Sequence, residues 1–140
     1  KKIYPNQMWL DGLYMGQPFY ARYNTLYENG NQLDDIAHQF ELIHDRTFDK
    51  KTGLFFHAFD ESKQMAWANK ETGTAPNIWL RAIGWYAMAL VDVLDYFPKD
   101  HPKRKKLISY LNELTIATAK YQDASGEQFR WFKESELAGV

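Results

Sequence analysis

Met8-Trp9-Leu10-Asp11-Gly12-Leu13-Tyr14-Met15-Gly16 sets a single carboxylate in a run of apolar and aromatic residues, with Pro18 just beyond. Burial among such neighbours raises a carboxyl pKa, because desolvation disfavours the charged form. A raised pKa suits a general acid that must hold its proton near neutral pH. The same pattern also fits an Asp that caps a helix or sits in a turn, with Gly12 supplying a positive φ. Perturbed carboxylates are often structural, so the residues alone favour the turn. Pro5, Asn6, Gly12 and Gly16 then punctuate a loop over residues 1–16. Pro18 opens a helix in which Phe19, Tyr23, Leu26 and Tyr27 recur at helical spacing up to Asn29-Gly30.

Working outward, Asn31 starts a second helix with Asp34 three residues on, a capping-box-like arrangement. Leu33, Ile36, Ala37, Phe40 and Ile43 form its apolar stripe. His38 and His44 lie off that stripe and read as surface or packing residues. The period changes over 47–68. Phe55, His57 and Phe59 alternate with Leu54, Phe56 and Ala58 in a short strand, and Met65-Ala66-Trp67 is its return strand. Such an insert between helices is too small to be a sheet core and reads as a decorated loop. Asn77 caps a third helix with Trp79, Ala82, Ile83, Tyr86, Leu90, Val93, Leu94 and Phe97 on its apolar surface. Gly84 inside it predicts a close packing partner. Arg81 in its first turn conflicts with the helix dipole, as functional residues do, and equally fits an Arg paired with a carboxylate. Asp100 or His101 caps a fourth helix, with Leu107, Tyr110, Leu111, Leu114, Thr118 and Tyr121 as its stripe and Asp123-Ala124-Ser125-Gly126 closing it.

The 140 residues suit one ordinary domain. Nine Tyr, nine Phe and five Trp supply flat contact surfaces that serve a core or a sugar face. A net charge of −1 argues against a phosphate-tracking nucleic-acid surface. The one basic run, Lys103-Arg104-Lys105-Lys106, reads as a solvated face. No segment reaches the ~20 apolar residues of a membrane span. With no cysteine there is no disulfide or thiolate site, which fits a cytoplasmic location, with the periplasm as the alternative. No His-x-x-x-His pair or carboxylate cluster has ligand spacing, so neither a metal nor another cofactor is expected. The sequence leaves the oligomeric state open.

Trp9-Leu10-Asp11-Gly12-Leu13-Tyr14-Met15 with Pro18-Phe19 resembles the signature of the unsaturated rhamnogalacturonyl hydrolases, glycoside hydrolase family 105. Trp79-Leu80-Arg81-Ala82-Ile83-Gly84-Trp85-Tyr86-Ala87-Met88-Ala89-Leu90 resembles a second motif of that family, and Gly53-Leu54-Phe55-Phe56-His57-Ala58-Phe59-Asp60 its His-bearing hairpin. Three motifs in the right order are more specific than any one, and the similarity runs from Met8 to Gly126.

By pattern alone the chain is all-α, with four helices and one β-hairpin insert. The resemblance implies an (α/α) barrel of six helical hairpins. Residues 1–140 would be a partial catalytic domain of that barrel, lacking N-terminal hairpins and the C-terminal part, and inactive in isolation. The tail over 127–140 departs from the family's usual aromatic strand, as a truncated or frameshifted end would. A part-barrel exposes apolar helix faces.

The chemistry the resemblance implies is hydration of an enol ether. The substrate is a pectin-derived oligosaccharide whose terminal uronic acid carries a C4=C5 bond. A carboxylic acid protonates C4, the cation at C5 spreads onto the ring oxygen, and the carboxylate takes a proton from the water that attacks C5. The hemiketal then opens and the glycosidic link is lost. Carried over by resemblance, Asp11 is the acid/base, His57 contacts substrate or positions water, Arg81 faces the uronate, Trp79 and Trp85 wall the sugar, and Trp9 and Met15 complete the pocket. Two alternatives stand beside this: an unsaturated glucuronyl hydrolase acting on glycosaminoglycan fragments, and a non-catalytic carbohydrate-binding helical module.

Overall fold

Apolar residues at helical spacing fix α2 (Leu33–Thr47), α3 (Leu80–Leu94) and α4 (Arg104–Ala119) where the sequence puts them. Leu33, Ile36, Ala37, Phe40 and Ile43 of α2 are buried, as are Ala82, Ile83, Tyr86, Leu90 and Val93 of α3 and Leu107, Tyr110 and Leu114 of α4. Phe40, Phe55 and Tyr86 form the aromatic centre of this core, with ring centroids 5.1 Å apart for Phe55 and Tyr86 and 6.0 Å for Phe40 and Tyr86. The computed structural model describes residues 4–122, 124, 125 and the strand 131–133.

The first helix departs from expectation. α1 spans Leu10–Tyr27, so Asp11 lies in its first turn, while Gly12, Gly16 and Pro18 are interior. The punctuation read at these positions yields to packing. α1 lies along α3 and buries Leu10, Leu13 and Ala21, and tertiary burial of this kind overrides the propensities of Gly and Pro. The stripe of Phe19, Tyr23, Leu26 and Tyr27 is open among the described residues: Phe19 and Tyr27 are 73% exposed and Leu26 60%.

Several caps also differ. α2 starts two residues after Asn31 with no side-chain cap. Asn31 Oδ1 accepts instead from Asn24 Nδ2 (2.8 Å), and the Gln32 N–H donates to Asn24 Oδ1 (2.9 Å). This pairing makes the buried Asn24 the hinge pin of the α1–α2 turn. Asn77 does not cap α3; it lies in β3 (Asn77–Trp79). α4 begins after Lys103 with no side-chain cap, and His101 Nδ1 accepts the Lys103 N–H at 3.2 Å. The basic run is not simply solvated. Arg104 Nη1 donates to the Leu94 and Phe97 carbonyls, the latter at 2.8 Å, closing the end of α3, and Lys103 Nζ donates to Glu41 at 2.7 Å.

The strands also pair differently from the hairpin read in the sequence. β2 is only Ala58–Asp60 and pairs antiparallel with β1 (Gln7–Trp9), Met8 opposite Phe59. Met65-Ala66-Trp67 forms turns rather than a return strand, and Thr74 bridges Phe59 in its place. β3 pairs antiparallel with β4 (Trp131–Lys133). The remaining tail, 126–130 and 134–140, and Asp123 lie outside the described residues.

Among the described residues, nothing beyond its chain neighbours and its own helix backbone stands within 4 Å of where a Gly84 Cβ would be, so the expected close partner is not found among them. Gly84 borders an open groove of about 390 Å³ between α3 and α4.

Candidate active site

Two strand–helix junctions are built alike. β1 ends on Trp9 and β3 on Trp79, both in extended conformation (φ −130°, ψ 140° and φ −120°, ψ 112°), and each Trp is followed by Leu as the first residue of a helix. The second helical residue is Asp11 in one copy and Arg81 in the other. Leu13 and Ile83, four residues after each Trp, are both buried. Among the described residues, neither helix has a side-chain cap.

His57 joins the two junctions. Its carbonyl oxygen accepts the Leu10 N–H (3.0 Å), and its ring Nδ1 lies 2.8 Å from the Asn77 carbonyl oxygen. Donation to that carbonyl needs the proton on Nδ1, which leaves Nε2 as the acceptor in the neutral ring. The two helices then run side by side in the same direction. Their starts meet at His57, and further in Tyr14 of α1 meets Trp85 of α3 at 4.7 Å between centroids.

An aromatic row follows from this arrangement. The Trp9 ring is 5.5 Å from His57, and His57 is 6.2 Å from Trp79, edge to face. The Arg81 guanidinium lies over Trp79 at 3.6 Å, within cation–π range. Trp9 is held by its indole N–H, which donates to Gln7 Oε1 at 3.1 Å. One carboxylate oxygen of Asp11, Oδ2, is buried with no hydrogen-bond partner among the described residues. A buried carboxylate oxygen without a partner is costly in a folded protein.

Of the residues picked from the sequence, Trp9, His57, Trp79 and Arg81 come together at the starts of α1 and α3, and Asp11 sits beside them. Trp85 lies deeper, against Tyr14. Met15 is 63% exposed, one turn along α1 from Asp11. Two further residues belong to this cluster: Gln7, which holds Trp9, and Trp67, whose ring meets Trp9 edge-on at 5.4 Å. A lone Trp in an otherwise polar loop was the available signal for the second. A cavity of about 470 Å³ lies on the far side of Trp9, lined by Gln7, Gly12, Gly16, Arg46 and Phe59, and excludes Asp11, His57 and Arg81.

The solved family 105 glycoside hydrolase of C. acetobutylicum superposes with a TM-score of 0.92 at 48% identity, covering 97% of this chain and 38% of that one. The unsaturated rhamnogalacturonyl hydrolase YesR of Bacillus subtilis is 30% identical over 124 residues, 89% of this chain and 34% of YesR. Protein Atu3128 of Agrobacterium fabrum is 42% identical over 86 residues, 61% of this chain and 36% of that protein. The pattern of Glycosyl Hydrolase Family 88 matches residues 1–134. The mostly helical architecture is consistent with a fragment of the helical barrels of these glycoside hydrolases. The chain belongs to Glycosyl Hydrolase Family 88 and resembles the unsaturated rhamnogalacturonyl hydrolases of family 105. It spans about a third of the length of the curated relatives it matches.

Proposed function

We propose that these residues form one side of the cleft of an unsaturated rhamnogalacturonyl hydrolase, in which Asp11 hydrates the C4=C5 enol ether of a terminal unsaturated uronate. The observation that carries the reading is the buried Oδ2 of Asp11, unpartnered among the described residues, in the first turn of α1, two residues from Trp9. The family and the YesR likeness support the substrate class. In this proposal the chain is one sector of a six-hairpin (α/α) barrel, and segments outside these residues complete the cleft.

The chemistry asks for one carboxyl group that gives and then takes a proton. Asp11 delivers its proton to C4, and positive charge develops at C5 and the ring oxygen. Water adds to C5 while the Asp11 carboxylate removes its proton, so the group ends as it began. The C5 hemiketal opens to a ketone, the oxygen released at C1 forms a hemiacetal, and its collapse expels the neighbouring sugar. The two-carboxylate spacing of ordinary glycosidases is not needed. Arg81 holds the uronate carboxylate, for which its planar fork is suited. Trp79 and Trp85 wall the sugar, Met15 borders it, and His57 faces substrate or water through Nε2.

The test is product analysis in D₂O. Hydration through C4 leaves one deuterium at C4 of the released keto acid, seen by NMR. Release of the neighbouring sugar with no deuterium at C4 would rule the mechanism out.

A further inference from the structure

We infer that Trp67 is a positioning residue that locks the ring plane of Trp9, and that the loop from Asp60 to Ala75 is a rigid bracket built to hold it there. The inference rests on the hydrolase reading for its catalytic consequence, and on the geometry alone for the bracket.

Loops of this length and polarity are usually among the more mobile parts of a fold, yet this one is tied at almost every step. The Asp60 carboxylate accepts the N–H groups of Ser62 (3.1 Å), Gln64 (2.9 Å) and Met65 (2.9 Å) and the Ser62 hydroxyl (2.7 Å). Lys70 Nζ donates to the carbonyls of Lys63 (3.1 Å), Gln64 (3.4 Å) and Met65 (3.0 Å), gathering three carbonyls of one turn on a single ammonium. Lys63 Nζ reaches back to the Glu71 carbonyl at 2.6 Å. The far limb is pinned to β2 by Asp60 N–H to the Gly73 carbonyl (2.8 Å) and by Ala75 N–H to the Ala58 carbonyl (2.9 Å). Charge-assisted hydrogen bonds to one lysine and one aspartate are stronger than neutral ones, and here they hold both limbs of a loop with few apolar residues.

Trp67 is the one large ring this bracket carries, and it is only partly buried. Its contact is with Trp9, edge-on at 5.4 Å and 64°. An edge-to-face pair of that geometry fixes orientation as well as distance. Gln7 holds the Trp9 N–H, Tyr4 and His57 flank its ring, and Trp67 meets it edge-on. Trp9 is the N-cap residue of the helix whose second residue is Asp11, so a slack Trp9 leaves the pocket loose beside the acid.

The test uses the complete enzyme carrying Trp67→Ala, Trp67→Leu or Trp67→Phe. An aromatic pair contributes about 0.5–1.5 kcal/mol beyond burial, so KM for an unsaturated disaccharide should rise about three- to tenfold in the Ala and Leu variants. The value of kcat should change less than KM, and Phe should restore most of the loss. In parallel, the Trp9 indole N–H resonance, assigned by its loss in Trp9→Phe, should be single and sharp in the parent and the Phe variant. It should be broadened or doubled in the Leu variant, which keeps an apolar plug if Ala does not fold. Unchanged KM in the Leu variant, or a Trp9 resonance as sharp as the parent's, would overturn the inference. A parent with no turnover on any unsaturated uronyl substrate would defeat the hydrolase reading, and the indole resonance would still decide whether Trp67 positions Trp9.

Discussion

Asp11 and Arg81 occupy the same place in two copies of one local motif, each the second residue of a helix that follows a strand ending in tryptophan. The copies carry a carboxyl group and a guanidinium and are tied together by His57, whose carbonyl accepts the Leu10 N–H and whose ring contacts the Asn77 carbonyl. One local architecture thus brings an acid and a cation to the same end of two parallel helices.

For Arg81 the division of labour predicts a loss of substrate binding that depends on the substrate's charge. A charge-assisted hydrogen bond is worth about 1.5–3 kcal/mol, so Arg81→Met should lower kcat/KM about 10- to 100-fold on the free uronate. On the uronate methyl ester the variant and parent should differ far less. Arg81→Lys should recover only part of the loss, because a point charge lacks the planar fork that stacks on Trp79. Equal losses on acid and ester would show that Arg81 does not read the carboxylate.

Asp60 gives the loop bracket a pH dependence. Hydrogen bonds from the Met65 N–H first, then from the Ser62 hydroxyl and the Ser62 and Gln64 N–H groups, hold its carboxyl below the ordinary value of 3.8, against the opposing effect of burial. A carboxylate whose pKa is lowered on folding stabilises the fold above its unfolded-state pKa, and that contribution is lost as pH falls through the folded value. Asp60→Asn should therefore melt lower than the parent at pH 7. The gap should hold down to about pH 5 and close below about pH 4. Parallel melting curves across that range would contradict the assignment.

Gly73 is required by both backbone and space. Its φ is +84°, and a Cβ there would stand 2.5 Å from the Asp60 carbonyl oxygen and 2.8 Å from the Phe59 ring. Gly73→Ala should cost about 1–3 kcal/mol in denaturant unfolding, from the left-handed backbone and the overlap together. An unchanged midpoint would mean that the strand-to-loop contact is looser than the geometry indicates.

Helices α2, α3 and α4 were legible because their buried residues repeat at helical spacing, and β2 was legible in part from the alternation around His57. The start of α1 was not. Gly12, Gly16 and Pro18 carry local turn signals that packing of Leu10 and Leu13 against the core overrides, and nothing local announces that contact. The partner of β2 was hidden for the same reason, since Gln7–Trp9 pairs with it across about fifty residues. Phe19, Tyr23, Leu26 and Tyr27 do repeat at helical spacing, but an apolar stripe says only that a face is suited to burial, not that these residues supply the cover. Asp11, His57, Trp79 and Arg81 were picked by resemblance rather than by spacing. No periodicity in the sequence reveals that His57 ties the two helix starts, because one link is a backbone hydrogen bond and the other runs from its ring to a backbone carbonyl.

The central claim is that Asp11 moves the proton, and the most direct measurement is loss of the ultraviolet absorbance of the conjugated double bond in an unsaturated rhamnogalacturonan disaccharide. The complete enzyme and its Asp11→Asn variant would be followed side by side, with melting curves to establish that both are folded. General acid–base catalysis contributes about 10²- to 10⁴-fold, so the parent should consume the signal and the variant should be slower by that factor with KM little changed. A folded Asp11→Asn variant that keeps more than about a tenth of parental turnover would contradict the account.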